Sequence, residues 1–291
     1  MDITDKTTQY SFGGTSPDGK DFNPTQFKTI KIERFEKHVA LLWLNHGSKA
    51  NALDDTLIRE LVQGLEILEV DSSVRAIVLA GEGRHFSAGG DVKAMKNSSG
   101  MFKGKPAELR QNYMLGIQSI PRQIEAMETP IVAAVCGSAI GAGLDLACMA
   151  DMRICSDEAK FGETFVRLGL ISGDGGAFFL SRVVGYAKAM EMTLTGNVIG
   201  AVEAEKIGLV SEVVPKNELF SRATAIASQI AANAPVAVRM AKALLKQNSN
   251  QQLPSQLISA ATCQGIAQRT GDHELFLKSL GGAYTPEFKG Q

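Results

Sequence analysis

Beyond residue 28 the chain alternates short runs of aliphatic and β-branched residues with longer stretches whose apolar positions recur every three or four residues. Residues 30–32, 39–44, 76–79, 131–135 and 152–155 read as short strands. Between the second and third of these, Leu57, Ile58, Leu61, Leu65 and Leu68 form one apolar stripe, which predicts a helix over residues 54–68. The order strand, helix, strand, helix predicts an α/β fold. After residue 200 the strand signal fades except at 209–214, and residues 218–233, 235–247 and 253–268 read as helices, two of them opened by proline near the first turn. Residues 1–28 are polar, rich in Thr, Gly, Asp and Pro, and without periodicity. The expected organisation is therefore a flexible N-terminal arm (1–28), an α/β core (29–200) and a C-terminal helical region (201–291).

Composition narrows the class without choosing a function. A chain of 291 residues that is 44% hydrophobic and 21% charged can bury a sizeable core. Its 30 basic and 31 acidic side chains are not gathered into blocks, which speaks against a nucleic-acid partner. No run of eighteen apolar residues suggests a membrane span, and residues 1–20 lack the apolar stretch of a secretory signal. Cys136, Cys148, Cys155 and Cys263 have neither CxxC spacing nor histidines at ligand distance. Reduced thiols in a cytoplasmic protein, with no metal site, are the expectation.

Two glycine-containing stretches carry candidate chemistry. In His85-Phe-Ser-Ala-Gly-Gly-Asp-Val92, two glycines after a strand let backbone N–H groups approach a ligand; an ordinary strand-to-helix turn capped by Asp91 explains the same residues. In residues 136–151, small residues lead from a strand into an apolar helix that starts near Ala142. The N–H of Ala142 lacks an intrahelical acceptor there, and the helix dipole favours negative charge. Asp145 follows on the same side. Set among Leu144, Leu146 and Ala147, its carboxylate is partly desolvated, which raises its pKa and suits it to proton transfer; dipole compensation is the competing role.

Together these stretches resemble the crotonase, or enoyl-CoA hydratase/isomerase, superfamily. Lys49-Ala-Asn-Ala-Leu53 is similar to its CoA-binding turn, His85 to Val92 to its FxAGxDI element and Gly137 to Asp145 to its GxxxGGGxE element. Segments 161–165, 169–176 and 207–214 follow in the family's order. The resemblance implies a ββα superhelix core and an enzyme that acts on the C=C bond of an acyl-CoA thioester through an enolate. It implies an oxyanion hole formed by the N–H groups of Gly90 and Ala142, and a cleft where Lys49, Ala50, Ala88, Asp91, Val92 and Phe165 meet CoA or the acyl group. It also implies a homotrimer or homohexamer, with CoA entering as part of the substrate and no further cofactor.

The proton-transfer groups depart from the family's hydratase pattern. That pattern has two glutamates; here the first position holds Asp145 and the second holds Phe165, with Glu163 two residues earlier. Asp174, in Gly173-Asp-Gly-Gly176, is either a second acid or a turn residue before glycine. Two carboxylates suit hydration, and one suffices for a double-bond shift, so 2-enoyl-CoA hydration is the first expectation and enoyl- or dienoyl-CoA isomerisation the alternative. An acyl-CoA binder without turnover is the nonenzymatic alternative. A nicotinamide dehydrogenase, suggested by Gly141 and Gly143, lacks GxGxxG after the first strand. Lys242 and Lys246 read as scattered surface charges.

Overall fold

The computed structural model describes residues 7–9, 27–248, 251–280, 282 and 286–291. Strands β1 (Thr7–Gln9), β2 (Ile30–Phe35) and β3 (Val39–Leu44) lead into helix α1 (Asp55–Val70) and strand β4 (Ala76–Gly81). Short helices α2 (Val92–Lys96), α3 (Pro106–Leu115) and α4 (Ser119–Ala126) precede β5 (Ile131–Val135), β6 (Ser138–Ile140) and α5 (Ala142–Met149). Next come β7 (Met152–Ser156), β8 (Lys160–Gly162), α6 (Gly176–Val184), α7 (Tyr186–Thr195), β9 (Val198–Gly200), α8 (Ala201–Lys206) and β10 (Glu212–Val214). Helices α9 (Leu219–Ala231), α10 (Pro235–Asn248), α11 (Leu253–Ala267) and α12 (Gly271–Ser279) follow.

Seven strands form one sheet in the order β1-β2-β3-β4-β5-β7-β10, antiparallel from β1 to β3 and parallel from β3 to β10. A small sheet contains β6, β8 and β9. The chain passes from the large sheet to the small one twice, β5 to β6 and β7 to β8, and each time a helix follows; this is the expected ββα repeat. The inner strands are unbroken apolar runs because both faces are covered. Ile77, Leu79, Ile131 and Ala133 face the core packed by α1, α4 and α5, whereas Val78, Val132 and Ile154 meet Leu219, Ala223 and Ala227 of α9. Helix α1 buries the predicted stripe, and the Asp54 side chain caps it by accepting from the N–H groups of Thr56 and Leu57.

Three placements differ from the sequence reading. Most of the expected arm lies outside the described residues, but Thr7–Gln9 pairs with β2. The boundary at residue 200 does not divide layers, because β10 extends the large sheet beside β7 and α9 covers that sheet's second face. Lys242 and Lys246 are not scattered charges. Lys242 Nζ lies 2.7 Å from both the Thr129 carbonyl oxygen and Asp151 Oδ2, and Lys246 Nζ donates to the Ile124 carbonyl at 2.7 Å, so they tie α10 to the end of α4 and the loop after it.

Candidate active site

Gly89 sits where the chain turns after β4. Its φ of +90° belongs to the left-handed region, and a Cβ there would stand 2.5 Å from the Ile140 carbonyl oxygen. The turn is fixed on both sides: Ala88 N–H donates to Ala50 O at 3.0 Å, and Leu53 N–H donates to Gly89 O at 2.8 Å. Among the described residues, the next N–H, that of Gly90, has no acceptor.

The second turn comes from β6. Gly141, at φ +53°, donates its N–H to Gly162 O at 2.8 Å and accepts from Asp145 N–H at 3.0 Å, so α5 begins at Ala142. The Ala142 N–H also has no acceptor among the described residues. A Cβ on Gly89 would lie 3.5 Å from the Ala142 nitrogen, which places the two turns in contact. Gly143 is small for the same reason, since a Cβ there would come within 2.4 Å of Ser87 O. A cavity of about 40 Å³ opens between the turns, lined by Gly90, Val92, Ala142 and Phe165 among others.

Three carboxyl side chains lie close together behind these turns, Asp145 on the helix that begins at Ala142 and Glu163 next to Thr164 of the cavity lining. Asp145, Glu163 and Asp174 are 0%, 1% and 2% exposed. Burial raises the Asp145 pKa well above the usual carboxylate range, and the charges of Asp174 and Glu163 add to it. Burial likewise raises Asp174, and it pushes Glu163 up to about 7. Ser172 Oγ joins two of the three, lying 2.9 Å from Asp145 Oδ2 and 3.1 Å from Asp174 Oδ1. No N–H or hydroxyl donor among the described residues reaches Asp145 Oδ1 or either Glu163 oxygen, and Asp145 meets both Glu163 and Asp174 carboxyl to carboxyl, contacts that need a proton to become hydrogen bonds. Gly176 leaves room for the Asp145 carboxyl, because a Cβ there would stand 2.1 Å from Oδ1.

The enoyl-CoA hydratase/isomerase family model matches residues 34–283. The chain belongs to this family. It is 39% identical over 217 residues to the "Probable enoyl-CoA hydratase, mitochondrial" of Dictyostelium discoideum, covering 75% of each chain. It is 35% identical to the short-chain-enoyl-CoA hydratase of Clostridium acetobutylicum, over 86% of this chain and 93% of that one. A crystal structure of enoyl-CoA hydratase from Bacillus anthracis superposes with a TM-score of 0.85 at 31% identity, covering 91% of this chain and all of that one.

Membership in the enoyl-CoA hydratase/isomerase family gives the remaining candidate residues a common context. Lys49, Ala50, Ala88, Asp91 and Val92 are brought together: Ala50 and Ala88 share the backbone hydrogen bond, and Lys49 Nζ bridges Asp54 Oδ2 at 2.8 Å and Asp91 Oδ2 at 3.2 Å. Asp91 also caps α2 by accepting from Ala94 N–H, so its capping role is real. Phe165 packs its ring near Gly141 at the cavity. Asp174 is buried and bonded to Ser172, unlike a solvated turn residue.

The sequence reading passed over Ser172 and gave Glu163 no role. In the structure Glu163 continues the inward side of Phe161 just beyond β8, a strand too short for its sequence to show this. Its raised pKa also predicts a pH effect on stability. The folded state holds the Glu163 proton to about pH 7, the unfolded chain releases it near 4.5, and so stability is lost as pH rises through that window. Glu163→Gln should therefore melt higher relative to wild type at about pH 8 than at about pH 5. Equal differences at both pH values in thermal melting would contradict this.

Proposed function

We propose that this enzyme hydrates 2-enoyl-CoA thioesters by way of an enolate. The reading rests on one observation: Gly90 and Ala142, whose N–H groups have no acceptor among the described residues, line the same small cavity, and the helix that begins at Ala142 carries the buried Asp145, which adjoins Asp174. As water adds to the β-carbon, charge builds on the thioester oxygen. Preorganised N–H donors at that point contribute most to the rate, since they are stronger toward the enolate than toward the neutral carbonyl. Asp145, protonated through burial, delivers a proton to the α-carbon, and Asp174 accepts the proton of the attacking water. The turn built from Lys49, Ala50, Ala88, Asp91 and Val92 receives the CoA portion.

Phe165 stands where the family's hydratases carry a second glutamate, and the burial of Asp174 supports its taking over that task. Isomerisation needs one carboxylate and leaves Asp174 idle, so hydration is preferred. For the acyl chain, a cavity of about 540 Å³ lies beside Gly173, lined by Tyr113, Gln118, Leu170 and Ile171. Incubation with a panel of 2-enoyl- and 3-enoyl-CoA thioesters tests the reaction. Hydration gives products heavier by one water; products of unchanged mass would establish isomerisation instead.

The reading includes a homotrimer or homohexamer in a reducing compartment such as the cytoplasm. Support for assembly comes from α11, which buries none of its residues within the described chain and leaves Leu253, Leu257 and Ile258 at 68%, 59% and 71% exposed. All four cysteines are free, which fits reducing conditions. No helix among the described residues is long and apolar enough to cross a membrane. Light scattering at micromolar concentration should report three or six subunits; a monodisperse monomer would contradict the assembly.

A further inference from the structure

Ser172 lies between the two carboxyl groups that the proposed reaction uses, and its hydrogen bonds can be counted. A hydroxyl has one proton to donate and two lone pairs to accept with. Gly176 N–H donates to Oγ at 2.8 Å and occupies one lone pair. Asp145 Oδ2 at 2.9 Å and Asp174 Oδ1 at 3.1 Å compete for what remains, one donor proton and one lone pair. With both aspartates ionised, the hydroxyl could satisfy only one of them, and the other contact would set two acceptors against each other in a water-poor interior. With one aspartate protonated, every position is filled: the acid donates to Oγ, and the Oγ proton is donated to the remaining carboxylate.

We propose that Ser172 is a proton relay between Asp145 and Asp174, returning the pair to its starting protonation after each turnover. This rests on the assignment of those two aspartates to hydration. In the addition step, the water oxygen bonds to the β-carbon, its proton passes to Asp174, and the π electrons of the C=C bond take the Asp145 proton at the α-carbon. Asp145 is then ionised and Asp174 protonated, the reverse of the starting state. The relay moves the Asp174 proton to Ser172 Oγ while the Ser172 proton moves to Asp145 Oδ2. No proton is gained or lost and no co-reactant is needed. A direct route suits the site because both carboxyls are almost sealed, at 0% and 2% exposed, whereas Ser172 is only part-buried. Burial also raises both aspartates, which favours retention of one proton by the pair.

Ser172 touches neither water nor thioester in this scheme, so it is a positioning residue whose loss slows the return step and spares the addition. Ser172→Ala should lower kcat by about tenfold or more, leave kcat/KM within about threefold, and show a burst of one product per site in rapid-quench measurements. Ser172→Thr, which keeps the hydroxyl, should recover kcat to within about threefold of wild type. Thermal melting accompanies each assay, and Ser172→Cys, with similar shape but a weak donor, takes the place of Ser172→Ala if the alanine variant does not fold; its expected kinetics are the same. Unchanged kcat in the variant lacking the hydroxyl would overturn the relay. So would equal loss of kcat and kcat/KM without a burst and without recovery by threonine, the pattern of a packing role. Absence of any enoyl-CoA turnover in the wild-type protein would remove the functional assignment and the relay together, whereas wild-type turnover with a normal alanine variant removes the relay alone.

Discussion

Asp145→Asn is expected to cut enoyl-CoA turnover by about a hundredfold to ten-thousandfold while thioester affinity changes by no more than about threefold. Asparagine has the shape of aspartate and can still bond Ser172 Oγ, but it cannot exchange a proton with the α-carbon. The fold should not suffer. Asp145 is fully buried, and burial with two neighbouring carboxyl groups raises its pKa and favours its neutral form, so the neutral amide of asparagine breaks no ion pair. Steady-state kinetics and calorimetric titration with a non-reacting acyl-CoA separate the two effects. Turnover within a few-fold of wild type would reduce Asp145 to a charge at the start of a helix.

The second large effect is at Ala142, where the group of interest is a backbone N–H and no side-chain deletion reaches it. Ala142→Pro removes that donor. Ala142 is the first residue of α5, where proline fits a helix best. The residue before it also permits the change: Gly141 has φ 53° and ψ -123°, the mirror image of the extended conformation that precedes proline, and only glycine adopts it freely. A folded, thioester-binding variant is therefore expected, slower by about a hundredfold to a thousandfold, the usual cost of losing one oxyanion donor. Circular dichroism must show the native helix content, and undiminished turnover in a folded variant would mean that the thioester oxygen is held elsewhere.

The parts of this fold that could be read from the sequence are those whose physics is local. Residues 39–44 and 131–135 were legible because strands covered on both faces carry no polar interruptions, and α1 because its stripe faces one core. Strands β6, β8 and β9 escaped notice because three residues each, such as Lys160–Gly162, give no period to detect. Residues 209–214 did carry a strand signal, but nothing local says that β10 pairs with β7, more than fifty residues earlier. At the site, the two turns were legible through their glycines and small residues. The burial of Glu163 was not, because it follows from the Gly141 to Gly162 hydrogen bond that joins β8 to the start of α5. The sequence leaves Asp174 open between a turn and an acid, because its burial and its contact with Ser172 beside Asp145 arise only in the fold.

The central claim is that this site forms a thioester enolate, and a saturated acyl-CoA in deuterium oxide tests it with no double bond to hydrate or shift. When the proton shared by the pair is on Asp174, the ionised Asp145 should remove an α-proton, the N–H groups of Gly90 and Ala142 should hold the enolate oxygen, and deuterium should return to carbon. Mass spectrometry is expected to show deuterium at the α-carbon in the presence of wild-type protein and almost none with Asp145→Asn or Ala142→Pro. Binding of the saturated thioester without α-deuterium incorporation by the wild-type protein would contradict the enolate mechanism.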